Sequence, residues 1–279
     1  MAITTRDKLI DALGNNSSRF VLDKASISNA AAGQYHSLWR ATGQPGQGAI
    51  PGAAAACDHT LTGAMGFTQQ TAPATTYGGF ANAACSNSAV TIEIHDRLAH
   101  MGGLSGTVAT AQTVNLDMDA LKSGSNLTER MGDANFSDIQ WWLEWYTDTG
   151  STAVTATVNV TYNDGTSGNL TGISLAATRR ASLMIPLNGL IPSADSGKFI
   201  RDINTVTLSA TTGTAGSFGA TATRPRMTLP LPLANKMEVF TWADLGFPEI
   251  FNSSCLFPIE LASTTSTGTV RGGGKLCHG

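Results

Sequence analysis

Apolar and polar residues alternate most clearly in the middle of the chain. In Val154–Tyr162, Val, Ala or Tyr occupies every second position, and Thr or Asn occupies the positions between. A period of two is typical of a strand with one buried face. Residues 163–166 then supply an Asp-Gly pair, which indicates a hairpin when it lies between two alternating runs. We therefore expect an antiparallel strand whose inward residues include Val154, Val158, Val160 and Tyr162.

Further stretches rich in β-branched and aromatic residues predict more strands. They cover residues 90–94, 107–116, 139–146, 170–175, 182–187, 203–210 and 226–231. Short strands separated by Gly, Asn and Asp turns, without long helices between them, indicate an antiparallel sandwich. The expected fold class is mainly β: an antiparallel, jelly-roll-like β-sandwich with extended N- and C-terminal segments and a few short helices.

The two ends of the chain lack this periodicity. Thr5 can cap one short helix that ends at Gly14, and residues 239–248 resemble a single helical turn. Otherwise Gly, Pro, Ala, Ser and Thr interrupt the pattern, so we expect extended segments. The predicted organisation is a short helix and arm-like segment over residues 1–88, a β-sandwich over 89–235, and an extended segment over 236–279 that packs on neighbouring subunits.

The end segments nevertheless contain large aromatic residues, which a flexible linker would lack. Leaving them in solvent would expose larger apolar patches than monomers usually carry. We interpret them as intersubunit contacts, with packing against their own chain as the alternative. The residues are Trp39, Phe67, Tyr77, Phe80, Trp242, Phe251 and Phe257.

Composition and charge argue against two classes of partner. Charged residues make up 13% of the chain and the formal net charge is −3, whereas nucleic-acid binding needs a basic surface. No apolar run reaches the roughly 18 residues of a membrane helix, and the first residues do not resemble a secretory signal. We therefore expect neither specific nucleic-acid binding nor membrane association. The four cysteines form no C-x-x-C pair and are expected to be free thiols.

Candidate chemistry is sparse. Cys57, Asp58 and His59 are adjacent, but neighbours in sequence seldom face each other productively. His95 and Asp96 would point to opposite faces of a strand, which argues against a metal site shared with His100. The run 271–275 (RGGGK) lacks the residues and the helix of a phosphate loop and is interpreted as a mobile tail. The sequence predicts no catalytic residue, no cofactor and no metal.

The predicted strand over residues 139–146 is rich in aromatic side chains. Trp141 and Trp145 share one face of the predicted strand, and Trp142 and Tyr146 share the other. One pair is expected in the core. The other pair either packs under a loop or a subunit, or stacks on a sugar.

Four phrases resemble structural proteins of tailed bacteriophage virions, of the capsid-associated or decoration type. They are residues 37–46 (SLWRATGQPG), 95–98 (HDRL), 252–259 (NSSCLFPI) and 271–275 (RGGGK). The resemblance implies a non-enzymatic capsid cement, decoration or other head-associated subunit. Its partners would be other copies of itself and other virion proteins, above all the major capsid protein. It would be located in the virion after assembly in the host cytoplasm. The alternatives are a tail, neck or carbohydrate-binding receptor protein of the virion and, in another class, a hydrolase.

Overall fold

The computed structural model describes residues 3–123, 126–175 and 178–279. The helices are α1 (Arg6–Gly14), α2 (Met118–Leu121) and α3 (Leu127–Arg130), and short 3-10 turns cover Leu38–Arg40, Asn188–Leu190 and Ser193–Asp195. The strands are β1 (Ser17–Lys24), β2 (Tyr35–Ser37), β3 (Gly43–Gln44), β4 (Ala55–Ala56), β5 (Thr76–Cys85), β6 (Val90–Leu104), β7 (Gln112–Asp117), β8 (Gln140–Thr147), β9 (Val154–Tyr162), β10 (Ser167–Leu175), β11 (Leu183–Pro186), β12 (Ile200–Leu208), β13 (Ser217–Leu231), β14 (Glu238–Thr241), β15 (Glu249–Ile250), β16 (Leu256–Leu261) and β17 (Val270–His278). Antiparallel strands and few short helices confirm the expected mainly β fold class.

The chain divides into two compact units. Unit 1 comprises the chain up to Ala49, Asp58–Asp96 and Pro225–Gly279, and unit 2 comprises Ile50–Cys57 and Arg97–Arg224. This division differs from the consecutive segments 1–88, 89–235 and 236–279 expected from the sequence. The reason is that β5, from the first of those segments, and β17, from the last, pair along most of their length.

Unit 1 contains a six-stranded antiparallel sheet. Its order is β14-β5-β17-β1-β3, with β15 also paired to β5. In the same unit, β16 pairs with β2 and with the first part of β6. Alternate side chains of these strands enclose a core that includes Phe20, Leu22, Ala81, Ile92 and Leu276.

Unit 2 contains a four-stranded sheet in the order β10-β9-β12-β7. In the same unit but in another sheet, β8 pairs with β11 and β13. The prediction for β9 is confirmed, because Val154, Val158, Val160 and Tyr162 are buried in the core. The β9–β10 hairpin also forms. Gly165 occupies the left-handed region at φ +81° in its turn.

The ends of the chain show one confirmed and one wrong prediction. The helix α1 begins after Thr5, whose side chain accepts a hydrogen bond from the backbone N–H of Lys8, and it ends at Gly14. The run 271–275 is not a mobile tail, since it lies within β17 and is hydrogen-bonded to β1 on one side and β5 on the other. Among the described residues, no helix is long and apolar enough to cross a membrane.

Candidate interaction surface

One face of the six-stranded sheet carries side chains that the core of unit 1 leaves uncovered. Across β1, β17, β5 and β14, the strand register places Val21, Gly273, Asn82 and Val239 in one row. The next row consists of Arg19, Lys275, Phe80 and Thr241. Intervening residues such as Phe20 and Ala81 point into the core. We call these two rows the exposed face.

The exposed face contains a hollow of about 300 Å³. The glycines of β17 form its floor, and its lining includes Arg19, Phe80 and Lys275. A Cβ added at Gly273 would lie 2.6 Å from the backbone oxygen of Phe20. The neighbouring strand therefore approaches too closely for any side chain here, which keeps the floor of the hollow bare.

Large apolar side chains on and beside this face are unusually exposed. The exposed fraction is 59% for Val21, 57% for Val239 and 44% for Trp242, which directly follows β14. Single exposed apolar residues are ordinary, but a group on one sheet face is typical of a protein-interaction surface.

The charges around the hollow are mainly positive. Among the described residues, the exposed Arg19 guanidinium has no ion-pair or hydrogen-bond partner. The ammonium of Lys275 donates to the backbone oxygen of Leu13 at 2.9 Å. Arg271 lies 3.5 Å from Asp23, and both are largely exposed. The face combines apolar contact area with cations rather than with groups suited to catalysis.

Three of the aromatic residues predicted as intersubunit contacts lie at this face or beside it. Phe80 lines the hollow. Tyr77 stacks on Phe247 with ring centroids 4.7 Å apart, and Phe247 meets Trp242 edge to face at 6.3 Å. Contacts of these three residues with another subunit stay a prediction.

The other four are held by their own chain to different degrees. Trp39 and Phe257 form an edge-to-face pair with centroids 6.0 Å apart, and they are 1% and 0% exposed. Phe67 is partly buried against the core of unit 1, and the guanidinium of Arg226 lies 5.4 Å from the ring centre of Phe251. The alternative of packing within the chain therefore describes Trp39 and Phe257, which need no neighbour to be buried.

The aromatic strand β8 is buried on both faces. Trp141, Trp142, Trp145 and Tyr146 are at most 2% exposed. The indole N–H of Trp141 donates to the backbone of Ile200, and that of Trp142 donates to Thr223. The rings offer no surface on which a sugar could stack, so the carbohydrate-binding interpretation of this strand is wrong.

The residues with candidate chemistry make different contacts and do not form a common site. Cys57 is fully buried, whereas Asp58 accepts hydrogen bonds from the backbone and hydroxyl of Thr60. His95 lies 2.9 Å from Glu93, and Asp96 accepts hydrogen bonds from the hydroxyl of Ser254 and the backbone N–H of Cys255. Within residues 3–123, 126–175 and 178–279, no group of His, Cys, Asp and Glu side chains is arranged to hold a metal ion.

Unit 2 contains a buried polar cluster that was not predicted from the sequence. Arg97 donates to both carboxylate oxygens of Glu144, at 3.3 and 2.6 Å, and to the hydroxyl of Tyr146 at 2.8 Å. Its Nε donates to Nδ1 of His100 at 2.9 Å, and Thr221 donates to Glu144 at 2.5 Å. Arg97 and Glu144 are both inaccessible to solvent, so the cluster cannot contact a substrate as it stands.

Electrostatics keeps this cluster charged. Burial alone would lower the pKa of the Arg97 guanidinium, but the carboxylate of Glu144 raises it above its ordinary value. Burial, and then the charge of Glu144, raise the pKa of Tyr146, which stays a neutral phenol. The cluster is therefore a structural ion pair whose hydrogen-bonding groups satisfy one another.

Glu260 on β16 is a contrasting case in unit 1. Its carboxyl group is fully buried, and neither oxygen has a hydrogen-bond partner among the described residues. The register places it beside His36 of β2 and Ile92 of β6. Burial raises the pKa of Glu260 to about 8 and lowers that of His36 to about 4. Both side chains are therefore neutral in the folded chain at pH 7.

Comparison with known proteins identifies no family for this chain. No protein-family model matches the sequence, and no curated protein is similar to it. Among solved structures, the chain is weakly similar to T=1 particles derived from infectious bursal virus, with 10% identity over 97% of this chain and 82% of that chain and a TM-score of 0.16. It is also weakly similar to the VP2 subviral particle of infectious bursal disease virus, with 10% identity over 96% and 81% of the two chains and a TM-score of 0.19. These are not proteins of tailed bacteriophages, and TM-scores this low do not establish a shared fold.

Replacing Glu144 should destabilise unit 2 strongly. In Glu144→Leu, Arg97 loses its counter-ion in a site without solvent, and we expect a loss of about 3–5 kcal/mol in the free energy of unfolding. The matched control is Arg180→Ala, which breaks the exposed ion pair with Asp148 and should cost less than about 1 kcal/mol. Urea unfolding followed by tryptophan fluorescence measures both. Equal losses for the two variants would contradict the structural importance of the buried pair.

Glu260 should make the stability of unit 1 fall as the pH rises. The folded chain holds the proton up to about pH 8, whereas the unfolded chain releases it near the ordinary value of 4.5. The folded state therefore binds more protons in this window, and stability is lost toward pH 8. His36 acts in the opposite direction between about 4 and 6.5, so the effect of Glu260 is clearest between 6.5 and 8.

The variant Glu260→Gln removes the ionisable group and should flatten this dependence. Thermal unfolding at several pH values between 6.5 and 8 provides the measurement. If the variant keeps the slope of the wild type, Glu260 does not cause it.

Proposed function

We propose that this chain is a non-enzymatic structural subunit of a virus particle that associates with other copies of itself. The observation that carries the proposal is the exposed face in unit 1, where Val21, Val239 and the adjacent Trp242 remain open to solvent. Burying a large apolar side chain contributes about 1.5–3 kcal/mol. A repeated subunit can use several such contacts to hold its place in a particle.

The chemistry of the chain favours assembly over catalysis. Three acidic side chains that a hydrolase could use are engaged in ion pairs: Glu144 with Arg97, Asp138 with Arg224, and Asp148 with Arg180. The lining of the hollow includes Arg19, Phe80, Asn82, Lys275 and the glycines, and it contains no nucleophile and base in contact. A hydrolase would need such a constellation in a cleft.

The finer assignment rests on the sequence phrases that resemble tailed-bacteriophage virion proteins. Three of them lie in unit 1, at the 3-10 turn around Trp39, at the start of β16 and within β17. On this basis we assign the chain to the capsid-associated, cement or decoration type. The major capsid protein is then a partner, and the assembled virion is its location. The burial of the β8 rings removes the main support for a carbohydrate-binding receptor protein.

Truncating Trp242 should weaken self-association. We expect Trp242→Ala to raise the concentration needed for assembly at least about tenfold, because aromatic residues at interfaces commonly contribute more than 1.4 kcal/mol. Ile10→Ala is the matched control, since Ile10 is 60% exposed but lies on α1, outside the exposed face. Sedimentation velocity over a concentration series measures assembly, and thermal unfolding checks the fold.

A wild-type chain that stays monomeric at all concentrations, and that is absent from purified particles, would contradict the proposed function. Equal effects of the two substitutions would show that assembly does not use this face.

A further inference from the structure

Both edges of the six-stranded sheet in unit 1 are incompletely paired. On its outer side, β1 pairs only at Asp23 and Lys24, with β3, so the edge over residues 17–22 is free among the described residues. At the opposite end of the sheet, β14 pairs with β5 alone in the same part of the chain. Unpaired edges offer N–H and C=O groups to another strand.

The backbone groups of Val21 point to the free edge of β1. The N–H of Ala25 donates to the oxygen of Thr42, on the side of β3. Because hydrogen bonding alternates along an antiparallel strand, Asp23, Val21 and Arg19 direct their backbone groups to that same side.

The backbone groups of Val239 point to the free edge of β14. The N–H of Thr241 donates to the carboxylate of Asp244, and its oxygen accepts from Leu245, so Thr241 faces away from β5. Val239, two residues earlier, therefore also faces away. The same alternation can be followed from Val239 to its partner Asn82 on β5, and from there to Gly273 on β17 and Val21 on β1. It again directs the backbone groups of Val21 to the free edge.

We infer that the free edge of β1 in one copy pairs with β14 of the next copy, with Val21 opposite Val239. This inference rests on the proposed function and adds the geometry of the contact. The two residues lie in the same row of the exposed face, and their side chains are 59% and 57% exposed. Adjacent strands of the sheet are antiparallel, so β14 of a second copy placed beside β1 continues the sheet with the same face outward.

This register also matches residues on the core side of the sheet. With Val21 opposite Val239, Phe20 lies opposite Phe240, and Arg19 lies opposite Thr241. Apolar residues therefore meet on both faces.

A pairing of β1 with itself fits less well. Centred on Phe20, it would place the charged Arg19 opposite Val21.

The two edges differ, so the contact is head-to-tail. Such contacts form a ring or a filament instead of stopping at a dimer. The occupant of each edge is a second copy of this chain.

Proline substitutions test the pairing, because proline lacks the N–H that the added strand would use. In Val21→Pro and Val239→Pro, that N–H makes no bond within the sheet, so edge strands should tolerate the change. We expect each variant alone to sediment as a monomer. An equimolar mixture should form dimers and no larger species, because each variant retains the edge that the other lacks.

The outcomes separate this inference from the proposed function. If the wild type assembles and either proline variant alone still assembles or dimerises, the edge pairing is wrong while self-assembly stands. If the wild type does not assemble, the edge pairing is wrong, and if the chain is also absent from purified particles, the proposed function itself fails. Val21→Lys and Val239→Lys serve as a second pair should proline disturb the fold, which far-ultraviolet circular dichroism reports. Ile10→Lys should assemble like the wild type.

Discussion

The pairing of β17 with β1 and β5 is the constraint on which unit 1 depends. It joins residues at the two ends of the chain, with Gly274 opposite both Phe20 and Ala81. A Cβ at Gly274 would lie 2.4 Å from the ring of Phe20, so that ring occupies the space a side chain would need. The glycines let three strands approach closely. The same close approach keeps the floor of the exposed face bare.

The strands of unit 2 could be predicted because their sequences alternate between β-branched and polar residues. In β9, Val158 and Val160 face the core and alternate with Thr157, Asn159 and Thr161. The strands β5 and β17 show less of this contrast, since many of their core positions are filled by small residues such as Ala81, Ala83 and Gly274. Small residues carry almost no periodic signal. The core there is completed by Phe20 of β1, which is far from β17 in sequence, so the local sequence cannot reveal this contact.

The residue types in the sequence predicted only part of the candidate interaction surface. An excess of aromatic residues in the end segments predicted contacts, and Trp242 is indeed exposed. The same reasoning could not separate it from Trp39, which is buried and meets Phe257 edge to face. Val21 and Val239 gave no signal at all, because a single valine is ordinary on a surface. They form one row only through the register of four strands.

Two open edges on one sheet would ordinarily invite unspecific aggregation, and this sheet limits that risk. β14 has four residues, and Thr241 already uses its backbone groups within its own turn. On β1, the strand β3 blocks pairing at Asp23, and Arg19 places a charge two residues before Val21. Short edges, charges and blocked positions are the means by which natural sheets restrict pairing. What remains open is one apolar residue on each edge, so the same features that prevent general strand addition select a single register.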